Sequence, residues 1–225
     1  SKESIVTDAL LGTDPDGNEM STDPVNLATG NFTYEHRDMQ INGEIGMEFH
    51  RYYNAKDMGR GALGKGFRHN YEACINVKPD GNAEYITADG QRRAFIIKDG
   101  AYEPSGVTTE ELAEKEDGYV LKLKDGDIWT FDKSGRITRQ EDRNNRGISF
   151  NYNEKKQLAE AVSDNGDTYK FEYNEAGYLA KVEDKLGRSV CFEYEKDTLI
   201  KAVLPENRTY TYRYGKGNRI TEVIN

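Results

Sequence analysis

The side chains of this sequence that could do chemistry are few in kind. Three histidines, His36, His50 and His69, stand in "YEHRD", "EFHRYY" and "FRHNY". An imidazole can shuttle a proton or hold a metal, but none of the three has a second histidine at short ligand spacing. Set beside aromatics in β-type or loop runs, they read as structural hydrogen-bonding groups. "DPDGNE", Asp14 to Glu19, begins like a calcium loop. An EF-hand needs Gly at its sixth position and Glu at its twelfth, and those positions hold Glu19 and Val25. "GRGALGKGF", Gly59 to Phe67, is glycine-rich like a phosphate cradle, yet Gly66 stands where a P-loop requires Ser or Thr after its lysine. A backbone bend is the simpler reading. Cys74 and Cys191 are the only cysteines, too few for a disulfide scaffold and without metal-ligand spacing. Reduced, buried thiols are the first reading, and a bridge between them stays open. The carboxylates mostly occupy turns or the polar faces of strands, not the apolar surroundings that general-acid work requires. The expectation is therefore no catalytic residue, no cofactor and no metal.

The elements that would position these groups are repeats. Phe131, Tyr152, Tyr173, Tyr194 and Tyr214 recur at spacings of 21, 21, 21 and 20. A second column runs Ile137, Leu158, Leu179, Leu199 and Ile220, and a third Gln140, Ala161, Val182, Ala202 and Val223. Three columns in register define a repeat. In "GDTYKFEY" the residues Tyr169, Phe171 and Tyr173 point one way and Thr168, Lys170 and Glu172 the other, which is the two-residue period of a strand. Ile148, Phe150 and Tyr152 repeat the pattern, as do Val190, Phe192 and Tyr194, then Tyr210, Tyr212 and Tyr214. Turns follow at "NEAG", "EKD" and "GKGN", whose Asn, Asp and Gly accept positive φ. Each return strand poses a difficulty: Leu179 and Val182 are three apart, so a regular strand would put them on opposite faces. A bulge would reconcile them. Stacked hairpins then share one sheet, with the rings a structural ladder or, alternatively, a platform for stacking sugars.

Before the strict period begins, Asp-Gly pairs at 80–81, 89–90, 99–100, 117–118 and 125–126 separate short β-type runs, a strong hairpin signal. "TTEELAEKE" leans to polar strand or loop. "NFTYEHRDMQI" and "GMEFHRYYN" read as strands.

These residues carry a resemblance. "DPVNLATGNF", "FHRYYNA" and "GALGKGFRHNYE", followed by the tyrosine repeats, closely resemble the N-terminal part of bacterial Rhs and YD-repeat proteins, over about residues 21 to 225. The resemblance implies an all-β fold of consecutive antiparallel hairpins, part of a sheet that spirals into a hollow β-shell around a C-terminal toxin. It implies a β-rich N-terminal domain over 21–142 that starts or plugs the shell, and about four hairpin repeats over 143–225; residues 1–20, ahead of the resemblance, read as a weakly structured leader. The family's downstream core motif, its self-cleaving aspartates and its toxin domain have no counterpart in this sequence, so cleavage and killing attach to no residue of it. The ring face is expected to look toward the lumen, where cargo would meet it.

Composition agrees with a soluble β protein. Of 225 residues 36% are hydrophobic and 32% charged, with 15 Tyr, 8 Phe and one Trp favouring strands. The net charge of −9, with 31 basic residues scattered among 40 acidic ones, argues against nucleic acid as partner. No apolar run approaches the roughly 18–20 residues that cross a bilayer. The expected partners are further repeats and a C-terminal toxin of the same polypeptide, with cell-wall glycan as the alternative and a secreted or cell-surface location. An unpaired strand edge at Asn225 would favour edge-to-edge self-association.

Overall fold

The structure, a computed structural model, describes residues 25–26, 31–57 and 59–225. The leader expected over 1–20, with its "DPDGNE" run, lies outside them. Regular structure among the described residues is β throughout, apart from single 3-10 turns at Pro205–Asn207 and Lys216–Asn218. None of it is a helix long and apolar enough to cross a membrane. The all-β fold of consecutive antiparallel hairpins expected from the sequence is present. "ELAEK", Glu111–Lys115, is a strand.

From Glu111 to Ile224 twelve strands follow one another in chain order, each hydrogen-bonded to the next. Their register shows how a 21-residue phrase closes on itself. Phe131 pairs with Ile137, Tyr152 with Leu158, Tyr194 with Leu199 and Tyr214 with Ile220, and the register slips by one residue at each of these pairs. One extra residue on the return strand, Ala159 in the pairing of Asn151 with Glu160 and Tyr152 with Leu158, is a β-bulge. The bulge turns Leu158 and Ala161, three apart, onto the same buried face, and Leu179 and Val182 show the same burial pattern. The conflict between column spacing and strand period is thereby removed.

The tyrosine that closes each hairpin also reaches back. The hydroxyl of Tyr152 donates to the carbonyl of Ile137 at 2.7 Å, that of Tyr194 to Leu179 at 2.6 Å, and that of Tyr214 to Leu199. Each acceptor lies fifteen residues upstream, in the aliphatic column of the preceding hairpin. Burial pushes the phenols of Tyr152 and Tyr214 well up, so they stay neutral donors.

Three of the turns between successive strands are five residues long and fixed by their first side chain. In "DKSGR" and "DKLGR" one oxygen of Asp132 or Asp184 accepts backbone N–H groups two and four residues on, while the other takes the Nε–H of Arg136 or Arg188. Asp142 and Arg146 repeat the device in "DRNNR". The fourth position must be left-handed, which is why it holds Gly135, Gly187 or Asn145.

The chain forms two compact units. The first gathers residues up to Gln40, Glu48–Asn70 and Phe171–Asn225; the second is Ile41–Met47 with Tyr71–Lys170. Within the second unit, strands Cys74–Val77, Ala83–Ile86, Arg92–Lys98 and Ala101–Ser105 form a four-stranded sheet in chain order. It joins the repeat turn through Ile75 N–H, which donates to the Gly135 carbonyl at 2.9 Å. A Cβ at Gly135 would lie 1.7 Å from the Ile75 oxygen. Tyr85 packs edge-on to Trp129, Tyr71 packs on Phe150, and Tyr169 donates to the Met47 carbonyl at 3.2 Å. Cys74 and Cys191 are half-buried thiols and form no disulfide.

If the back-reaching hydroxyls tie one hairpin to the next, Tyr152→Phe and Tyr214→Phe should each lower the unfolding free energy by about 1 kcal/mol, read from urea melts. Unchanged midpoints in both variants would show that the ring alone suffices.

Candidate functional site

The densest group of ionisable side chains lies in the first unit, and strand alternation assembles it. In Asn31–Ile41 the inward side chains are Tyr34, His36 and Asp38; in Met47–Asn54 they are Met47, Phe49, Arg51 and Tyr53. These strands and Phe67–His69 are neighbours in one small sheet. Its inner face covers the rings of the repeat strands. Phe49 meets Phe171 and Phe192 at centroid distances of 6.2 and 6.1 Å, Phe67 meets Tyr212 at 5.2 Å, and His69 stacks on Phe171 at 5.8 Å. Aromatic pairs of this geometry add to plain area burial.

Within that apolar layer sits a charge pair. The side chains of Arg51 and Asp38 are both 0% exposed. Arg51 grips the carboxylate with two donors, Nε at 2.5 Å and Nη2 at 2.9 Å, and its Nη1 donates to the Tyr212 hydroxyl. The guanidinium also lies 5.8 Å from the Phe192 ring centroid and 5.5 Å from that of Tyr212. On the other side of Asp38, His36 places Nδ1 2.8 Å from Oδ1 and Nε2 2.9 Å from the Tyr210 hydroxyl. A carboxylate only accepts, so Nδ1–H donates to Asp38, and Nε2 shares a hydrogen bond with the Tyr210 hydroxyl. Burial works against charge on Asp38, but Arg51 and the hydrogen bonds from His36 and Arg51 outweigh it and hold the carboxyl below its ordinary range. Burial likewise opposes charge on Arg51, and Asp38 more than restores it.

A tyrosine–histidine–aspartate chain is an arrangement that can relay a proton. Here both carboxylate oxygens are taken, and the outer imidazole nitrogen meets a hydroxyl inside a packed layer. The cluster lies inside a packed layer, where its hydrogen bonds join neighbouring strands.

The outward face of the same strands carries His50. Its Nδ1 is 3.1 Å from Glu35 and its Nε2 2.7 Å from Glu48, and Tyr52 stacks beside it at 6.0 Å. Burial lowers the imidazole's affinity for a proton, and the two glutamates raise it by more. Among the described residues no group of three His, Cys, Asp or Glu side chains converges as a metal site.

The glycine-rich run is a bend that uses its backbone. Ala62 accepts from Leu179 N–H at 2.8 Å and Lys65 N–H donates to Asp197 at 2.9 Å. Gly64, at φ +80°, leaves no room for a side chain, since a Cβ would stand 2.5 Å from the Asp197 oxygen.

The repeat residues fall into two settings. Phe131, Phe171, Phe192 and Tyr212 are buried, as are Ile137, Leu158, Leu179, Leu199 and Ile220, while Tyr152, Tyr173, Tyr194 and Tyr214 are half-buried. The ring face, expected to be open to a lumen, is in the first unit occupied by Phe49, Phe67 and His69 of the chain's own strands, because so many rings cannot be left in water. The Asp38–Arg51 pair was missed at the level of sequence, although a signal existed. In "MEFHRYY" Arg51 stands on an otherwise apolar face, and in "TYEHRDMQ" Asp38 stands on the face of Tyr34 and His36, so the alternation turns two opposite charges inward.

Comparison with known proteins agrees with the motifs. Residues 22–95 match the family described as "Domain of unknown function (DUF6531)". The chain is 34% identical over 137 residues to the tRNA nuclease WapA of Bacillus subtilis (strain 168), and equally to the tRNA3(Ser)-specific nuclease WapA of Bacillus spizizenii. The match covers 60% of this chain and 6% of either relative. Among solved structures the chain is similar to the crystal structure of TcdB2-TccC3-TEV, with a TM-score of 0.35 and 11% identity over 93% of this chain and 12% of that one. The likeness to Rhs and YD-repeat proteins read from the motifs stands.

Two outcomes test the site. Arg51→Met, which strands the Asp38 carboxylate, should cost about 3–5 kcal/mol of stability, whereas Asp38→Leu with Arg51→Met should recover most of it; a single variant as stable as wild type in denaturant melts would contradict the pairing. His50 binds its proton more tightly folded than unfolded, so its contribution is complete below the ordinary value of about 6.5 and fades as pH rises through the raised one. Stability measured between pH 6 and 9 should fall with a steeper slope in wild type than in His50→Gln. Equal slopes would remove His50 from the balance.

Proposed function

We propose that this chain, a relative of the Rhs and YD-repeat toxins, is a non-catalytic structural segment that helps build a β-shell around a C-terminal toxin domain. Its hairpins supply wall, and the strands of residues 31–70 cover the rings of the strands nearest to them. On this reading its partners are further repeats and the toxin of the same polypeptide, and its location is secreted or at the cell surface. The nuclease activity named for the WapA relatives belongs to proteins of which this match spans 6%.

The observation that carries the reading is where the reactive side chains go. Asp38, Arg51 and His36 are used up in joining strands, and the sheet's outer charges pair with one another, as Arg139 does with Glu141 at 2.6 Å and with Asp164 at 2.8 Å. Such a sheet can separate two environments without acting on either. The alternative, a glycan platform, needs open ring faces, and the rings of the repeat strands are buried or half-buried.

The test is made in the longer natural protein. Phe192→Ser, which opens the covered ring row, should render the C-terminal domain susceptible to added protease at concentrations that spare it in wild type. Equal protection in a folded variant would contradict the enclosing role. Saturable binding of the chain to cell-wall glycan would favour the platform instead.

A further inference from the structure

The repeats pose a registration problem that their function as wall does not solve. Strands alike in sequence offer alike ring faces, so a sheet that covers one pair of hairpins could cover the next pair equally well. Most contacts that seat residues 31–70 in the first unit are blind to which repeat they meet. Ala62 accepts from a backbone N–H at Leu179, and Lys65 donates to a backbone carbonyl at Asp197. Tyr53 donates to the carbonyl of Asn218 and accepts from the N–H of Ile220. Ring stacking by Phe49 is shared between Phe171 and Phe192. Arg188 reaches the Gln40 carbonyl from an exposed position, where such a bond adds little.

The Arg60–Asp197 ion pair at 3.4 Å depends on a side chain, but it is exposed on the arginine side and such pairs add little. Two buried contacts are not blind. His36 and Arg51 each end on a side-chain hydroxyl, at Tyr210 and Tyr212. The equivalent positions in the earlier repeats are Ile148 and Phe150, Tyr169 and Phe171, Val190 and Phe192. Of these four repeats, the one with Tyr210 and Tyr212 alone carries both hydroxyls. Shifted by one repeat, Arg51 would meet Phe192 and His36 would meet Val190 where each now meets a hydroxyl. Both would keep Asp38, but Nη1 of Arg51 and Nε2 of His36 would lose their hydroxyl partners, a costly change in an apolar layer.

We propose that Tyr210 and Tyr212 mark the one repeat on which the N-terminal strands dock, with the buried Asp38–Arg51–His36 cluster as the reader of that mark. The cluster is then kept for the uniqueness of the fold more than for its stability, the best-attested use of buried polar groups. The inference rests on packing within the first unit and holds whatever the wall encloses.

The test moves the mark. In the full chain, with Cys74 and Cys191 replaced by serine, spin labels at Thr33 and Glu175 report the position of the N-terminal strands by pulsed dipolar spectroscopy. Tyr210→Val with Tyr212→Phe erases the mark; adding Val190→Tyr and Phe192→Tyr writes it one repeat earlier. Wild type should give a single distance. The erased variant should show a second population, at least a tenth of the molecules, displaced by two strand spacings, about 10 Å. The rewritten variant should place the majority there. If the erased variant does not fold, the rewritten one decides alone. A rewritten chain that keeps only the wild-type distance, or that fails to fold although it carries both hydroxyls, overturns the proposal.

Discussion

Rings that cannot face water are the constraint from which the first unit follows. Phe171, Phe192 and Tyr212 stand on one face of consecutive hairpins and are too apolar and too large to leave exposed. A sheet with such a face needs a cover. The strands Asn31–Ile41, Met47–Asn54 and Phe67–His69 provide one from sequence more than a hundred residues upstream. The glycine bend between Gly59 and Phe67, the close approach at Gly64 and the buried ion pair are all consequences of bringing that cover down. Long-range closure of this kind is slow to form, which gives local turns their importance. The Asp132, Asp142 and Asp184 turns each fix one strand connection by hydrogen bonds within five residues, with no help from a distant strand.

The repeat itself was plain in the sequence because each column answers to one physical demand. Alternation gave the outgoing strands, and the tyrosine and leucine columns gave the phase. What the columns meant geometrically was less plain. A spacing of three between Leu158 and Ala161 is incompatible with a regular strand, and only the register of Asn151 with Glu160 and Tyr152 with Leu158 shows the extra residue that resolves it. Bulges depend on pairing, and pairing is not written in either strand alone. The hydroxyl bonds from Tyr152 and Tyr194 to carbonyls fifteen residues back are hidden for the same reason.

The charge cluster was legible only in part. Alternation places Asp38 and Arg51 on inward faces, yet each strand read alone makes the charge an anomaly to be discounted. Their meeting requires the two strands to be neighbours, and the roles of Tyr210 and Tyr212 require a packing partner more than 150 residues away. The histidines show the converse: "YEHRD" and "EFHRYY" suggested hydrogen bonding without saying to what. His36 turned inward to Asp38 and Tyr210 and His50 outward to Glu35 and Glu48, so neighbouring strands put one imidazole in the interior and another at the surface.

Amide hydrogen exchange on the intact chain tests the covering of the ring row most directly. If Met47–Asn54 and Thr209–Tyr214 close over the same rings, their amides should exchange slowly with a common opening free energy, and Phe49→Ala should accelerate both strands together. Rapid exchange along Met47–Asn54 while Thr209–Tyr214 stays protected would mean that the rings have some other cover, and the account of this unit would fall.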